Sequence, residues 1–239
     1  MEEVCRSGGS SLVRLHGGAD STRVLVIASR MSAQVLPGFV QEEVERLAGL
    51  GVEVLQFHPD AVRPVPKPLR RARWWRRRLH SILRRICPSY PGVLDLISPE
   101  HQDVRRNARE LRRMCRQIRR GREVALLGHS RGARIATLVP TFEGLKGVAC
   151  FGYPFQHPLN GPQCSRTRHL AFLRVPCLVF QGSRDEYGCA EDAASRYRLS
   201  KRVALVGLTT GHGFDRVSGE EQKIVRNRLE EMLGLVPIS

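Results

Sequence analysis

Three side chains in this sequence can carry nucleophilic chemistry: Ser130, Asp185 and His212, in that chain order. A serine hydroxyl is a weak nucleophile near neutral pH. It needs a base to take its proton and a third group to fix the base's tautomer and steady its positive charge. Ser130 lies in Gly128-His129-Ser130-Arg131-Gly132, after the apolar run Glu123–Leu127 and before the helix-compatible Ala133–Val139, which Pro140 closes. Strand, Gly-x-Ser-x-Gly and helix together make a sharp elbow that lifts a serine hydroxyl clear of a sheet. Asp185 lies in Gln181-Gly182-Ser183-Arg184-Asp185-Glu186, directly after another apolar run, with Glu186 as the rival carboxylate. His212 lies between Gly211 and Gly213 beyond the last predicted strand, and of the eight histidines it alone follows the acid there. Acyl transfer also needs backbone N–H groups aimed at the developing oxyanion. Arg131 supplies one, and the loop after the first buried strand, at Ser29 or Arg30, is the place for the other.

These loops must be held by a sheet. Arg23–Ala28, Val52–Phe57, Glu123–Leu127, Lys146–Gly152, Cys177–Gln181 and Arg202–Val206 read as short buried strands. Helical patterns fall at Pro37–Leu50, Glu100–Arg120, Ala190–Leu199 and Gly219–Leu233. Strands alternating with helices predict an α/β protein with a mainly parallel sheet flanked by helices. Residues 1–22 read as a flexible tail with at most a short edge strand near Leu12-Val13, and 23–239 as one domain. A proline-punctuated basic insertion at about 58–91 interrupts it. Within that insertion Trp75, Leu79, Ile82, Leu83 and Ile86 share one face of a predicted helix over 70–86.

The net charge is +16, and lysine accounts for only Lys67, Lys146, Lys201 and Lys223 among 39 basic residues. Arginine-rich faces at 70–85 and 105–120 offer a surface for nucleic acid or an acidic protein. No apolar run is long enough for a membrane span. The start, Met1-Glu2-Glu3-Val4-Cys5, has no apolar signal core, and the seven cysteines show no Cys-x-x-Cys pattern. The expectation is an intracellular protein, cytoplasmic or nuclear, with reduced thiols and no metal or organic cofactor.

With these residues in place, the chain resembles the α/β-hydrolase family related to dienelactone hydrolases. That group includes bacterial hydrolases, testis-expressed protein thirty and the hydrolase-like region of the third subunit of the chromatin NSL complex. The matching stretches are 128–134, Gly147–Pro158, Arg168-His169-Leu170, Pro176–Asp185 and Gly211-His212. The resemblance implies the α/β-hydrolase fold, with Ser130 as nucleophile, Asp185 as acid and His212 as base. It also implies a pocket lined by Tyr153, Pro154 and Phe155, to which His129 in the elbow is added. Where the family carries a His-Gly-Ala-Gly type loop, this chain reads Ser29-Arg30-Met31-Ser32. Losing one oxyanion donor costs roughly 100–1000-fold in rate. Two functions follow: a serine hydrolase acting on an ester, thioester or related small acyl substrate, or a weakly active module that binds through its arginine faces.

Overall fold

The computed structural model describes residues 2–7, 9–29, 36–59, 98–159 and 161–235, with Trp74, Trp75, Arg78 and Ile82 besides. The predicted helix over 70–86, most of the 58–91 insertion, and Arg30 lie outside the described residues.

Two antiparallel strands, β1 (Glu2–Ser7) and β2 (Ser10–His16), open the chain. Then come β3 (Arg23–Ala28), α1 (Gly38–Gly49), β4 (Glu53–His58), α2 (Pro99–Ile118), β5 (Glu123–His129), α3 (Arg131–Thr137) and β6 (Leu145–Phe151). A small ribbon of β7 (Gln156–His157) and β8 (Gly161–Pro162) follows, then α4 (Cys164–Thr167), β9 (Cys177–Gly182), α5 (Ala190–Arg196), β10 (Val203–Leu208) and α6 (Gly219–Leu233). Among the described residues eight strands form one sheet in the order β1-β2-β4-β3-β5-β6-β9-β10. It is parallel from β4 to β10 and antiparallel where β2 meets β4 and β1.

The first 22 residues are therefore not a loose tail. Leu12 and Val13 are buried, Leu12 packs into the core, and β2 pairs with β4 from Ser11 to His16. Polar residues at Ser10, Ser11 and Arg14 mask the strand in the sequence, yet Ser10 is buried and bonds Glu110 on α2.

The parallel strands alternate strictly between two cores, because successive side chains leave a strand on opposite faces. Val24, Val26, Val124, Leu126, Val148 and Val179 meet α2 and α3 on one face. Leu25, Ile27, Ala125, Leu127, Ala149 and Phe180 meet α1 and α6 on the other. The chain leaves β3 for β4 on one side, then returns to β5 on the other side of β3. That reversal opens a crevice at the carboxyl ends of β3 and β5, where such sheets place their ligands.

Candidate active site

Ser130 sits at the carboxyl end of β5 with φ 54° and ψ −119°, a left-handed conformation that a residue bearing a side chain rarely holds. The two flanking glycines permit it. A Cβ on Gly132 would come 2.1 Å from the Ala28 carbonyl oxygen of β3, and one on Gly128 would meet the Gly132 carbonyl carbon at 2.4 Å. No side chain fits at either position, so the elbow is built into the crossing of β3, β5 and α3. The Ser130 amide donates to Phe151 O on β6 at 3.0 Å.

An ion pair anchors α3 from below. Arg134 is 2% exposed, and its guanidinium donates to Glu100 on α2 at 2.7 Å. Burial pushes the Glu100 carboxyl up, but the Arg134, Arg166 and Arg131 guanidiniums outweigh that and leave it below the usual range. Burial, with Arg134 and Arg105 nearby, lowers His101 to about 4, and desolvation with Arg134, His101 and Arg105 nearby lowers His169 to about 3. Both imidazoles stay neutral beside the cations. The sequence gives no sign of this cluster, since Arg134 reads as one more surface arginine.

Asp185 follows β9 and is 7% exposed. Its Oδ1 accepts from the Tyr187 amide at 2.8 Å, and its Oδ2 accepts from Gln181 Nε2 and from His212 Nδ1, each at 2.8 Å. Gln181 is wholly buried, and every polar atom of its amide is used: Oε1 takes the Tyr153 amide, and Nε2 also reaches Gly188 O. Three donors thus converge on one buried carboxylate. Glu186, by contrast, sends no carboxylate bond to His212 among the described residues.

His212 is held from several sides. Its carbonyl oxygen accepts from His129 Nε2 at 2.9 Å, and the two rings lie 4.9 Å apart. Burial lowers His129 below the usual imidazole range, so it is a neutral donor here. Gly152, directly after β6 with φ 57°, lets the imidazole approach: a Cβ there would lie 3.0 Å from His212 Nδ1. Phe151, the last residue of β6, thus bonds the serine amide, and Gly152, the residue after it, leaves room for the imidazole. The loop is tied at its base by Glu221. That carboxylate accepts from the Thr209 amide and closes a capping box with Ser218 at the start of α6. Burial raises the Glu221 carboxyl, but the Thr209 and Ser218 bonds prevail and bring it down to about 2.

The oxyanion positions divide. The Arg131 amide opens α3 directly after Ser130. Ser29 is buried at the end of β3, where its Oγ accepts from Gln56 Nε2 at 3.1 Å. The pocket expectation changes too. Tyr153 and Phe155 are 0% and 1% exposed and pack against each other inside the core with their rings tilted by 55°, and Tyr153 OH donates to Arg166 O. Pro154 is buried as well. All three are thus buried, and the Tyr153 amide donates to Gln181 Oε1. Gln181, Gly152 and Glu221 are the positions around the candidate site that sequence reasoning missed. Only the Gln-Gly-x-x-Asp spacing hinted at Gln181.

A mainly parallel sheet, helices on both faces and a strained serine elbow after the central strand define the α/β-hydrolase architecture. Residues 99–233 match the alpha/beta hydrolase domain family, and the chain belongs to that family. A PEG-bound cold-adapted esterase from an Arctic intertidal metagenomic library shares the fold at 12% identity and TM-score 0.58, covering 98% of this chain and 100% of its own. The thioesterase domain from the curacin biosynthetic pathway aligns at 14% identity and TM-score 0.57, covering 96% and 98%. An alpha-beta serine hydrolase homologue from Coxiella burnetii aligns at 13% identity and TM-score 0.56, covering 99% and 97%. No curated protein matches the sequence. No helix among the described residues is long and apolar enough to cross a membrane.

Proposed function

We propose that this protein is a serine hydrolase that cleaves a small ester or thioester through Ser130, His212 and Asp185. The observation that carries the reading is the 2.8 Å bond from His212 Nδ1 to a buried, donor-saturated Asp185; the positive φ of Ser130 at the end of β5 supports it. A bond from Nδ1 to the carboxylate leaves Nε2 unprotonated and able to act as base. The named esterase and thioesterase that share the fold favour the same class of substrate.

In the first step Ser130 Oγ bonds to the acyl carbon while its proton passes to His212 Nε2. Asp185 steadies the imidazolium, and the Arg131 amide, with a donor from the loop after β3, holds the oxyanion. The C–O or C–S bond then breaks, and the leaving alkoxide or thiolate takes the proton from Nε2. A water molecule, deprotonated by the same nitrogen, attacks the acyl-serine, releases the carboxylic acid and restores Ser130. Kinship to the dienelactone-hydrolase-related group and an intracellular site of action belong to this reading; the six described cysteines are all free, which suits a reducing compartment.

Hydrolysis of p-nitrophenyl acetate and of an acetyl thioester tests it. Ser130→Ala and His212→Ala are expected to lose at least about 1000-fold in kcat, as removal of triad members does elsewhere. Full activity in folded Ser130→Ala protein would overturn the proposal.

A further inference from the structure

Remote from the elbow, the outer face of α2 carries Arg109, Arg112, Arg113 and Arg116 at spacings that stack them on adjacent turns. With Gln117 and Pro140 they line a groove of about 510 Å³. A smaller hollow of about 210 Å³ adjoins it, lined by Arg112, Arg116, Arg119, Phe142 and Glu143. Among the described residues none of these four arginines pairs with a carboxylate. Glu143, which lines the smaller hollow, is taken by Arg119 at 2.6 Å, and Glu110 bonds Ser10. Arg112 reaches only the Thr141 carbonyl, Arg113 only the Ser7 hydroxyl, and Arg112 Nε is buried with no partner. Like charges on neighbouring turns repel. This face is thus built at a cost in stability that a bound polyanion would remove.

We propose that this face binds the backbone of double-stranded DNA, without reading its sequence. The chemistry of the face selects among polyanions. Guanidinium groups match phosphate oxygens bidentately. Among the described residues that line this groove there is no aromatic side chain to stack on unpaired bases, as single-strand sites have, and no large apolar anchor of the kind that dominates protein interfaces. From Arg109 to Arg116 the helix rises about 10.5 Å. That span is close to the roughly 12 Å major groove of B-form DNA, whereas A-form RNA has a narrow one. The net charge of +16 adds long-range attraction. This inference stands apart from the hydrolase reading, and neither falls with the other.

The test is fluorescence anisotropy of a labelled 20-base-pair DNA duplex with the full chain, titrated from 50 to 200 mM KCl. Wild-type affinity should fall linearly on a log–log plot. Replacing three phosphate contacts in Arg109→Gln/Arg113→Gln/Arg116→Gln should make the slope shallower by about 2.7, so the variant loses roughly 40-fold less affinity across that range. A charge-matched control elsewhere on the surface, Lys201→Gln/Lys223→Gln/Arg228→Gln, should keep the wild-type slope. Equal slopes for the wild type and the α2 variant, or an equal change in the control, would overturn the proposal. So would tighter binding of duplex RNA, of a single strand or of polyglutamate, or displacement of the DNA by pyrophosphate at equal charge concentration. Should the α2 variant misfold, phenylglyoxal modification of the wild type gives the answer. The duplex should shield Arg109, Arg113 and Arg116 from the reagent, and unchanged modification would refute the assignment.

Discussion

Replacing Gly152 by Ala tests whether the imidazole of His212 is used where it sits. The new methyl carbon would lie 3.0 Å from Nδ1, 3.2 Å from Cε1 and 3.3 Å from Phe214 Cε2, at a backbone φ of 57°. Ordinary van der Waals contact begins near 3.4 Å, so the ring must move by about 0.4 Å or the β6 terminus must shift. The left-handed backbone adds about 1–2 kcal/mol of strain for a residue with a Cβ. The ring has little room to retreat, because Asp185 holds Nδ1 at 2.8 Å and Tyr187 lies against it with centroids 4.5 Å apart. A misplacement of 1 Å costs on the order of 100-fold in rate. A shift of about half that should cost roughly 10-fold in kcat/KM, equal to about 1.4 kcal/mol of transition-state stabilisation. The assay is p-nitrophenyl acetate hydrolysis alongside a thermal melt. A lowered melting temperature with an unchanged rate would refute the reasoning, since the clash would then act on the fold and not on the base.

Other substitutions probe the supporting structure. Gln181→Leu strips one donor from Asp185 and leaves the buried Tyr153 amide unpaired. It should cost about 2–4 kcal/mol in urea unfolding and should lower kcat of the folded protein with KM little changed, whereas a purely structural role would leave kcat in place. Gly132→Ala drives a Cβ to 2.1 Å from Ala28 O, so the soluble yield of folded protein, read by circular dichroism, should collapse. Glu100→Gln removes the counter-charge of buried Arg134 but acts at a side chain 47% exposed, so solvent screening limits the loss to about 1–2 kcal/mol. The folded Glu100 carboxyl lies below its ordinary value. Its contribution is therefore full above the usual carboxylate range and lost as pH falls through the lower folded value. Urea midpoints of wild type and variant should converge in acid.

The strands were legible because most parallel strands hold a run of apolar residues, and the reading of Arg23–Ala28 matches β3 to the residue. The helix from Glu100 showed as an inward stripe of Val104, Ala108, Leu111, Cys115 and Ile118, all buried; Met114 joins them. Ser130, Asp185 and His212 stood out because chain order and loop position are one-dimensional facts. What stayed hidden depends on distant partners. β2 looks polar until β4 is seen beside it. Arg134 looks solvated until Glu100 arrives from 34 residues away. Gln181 earns its place only when Tyr153, Asp185 and Gly188 close around its amide. Tyr153 and Phe155, which the resemblance puts in the pocket, are buried in the core.

The central claim is that Ser130 is an activated nucleophile. Incubation of the folded protein with a fluorophosphonate probe, followed by peptide mass mapping, addresses it most directly. The account predicts one covalent phosphonyl adduct on Ser130, slowed strongly in Asp185→Asn and absent in Ser130→Ala. An unmodified Ser130 at saturating probe, or modification that proceeds equally well without His212, would contradict it.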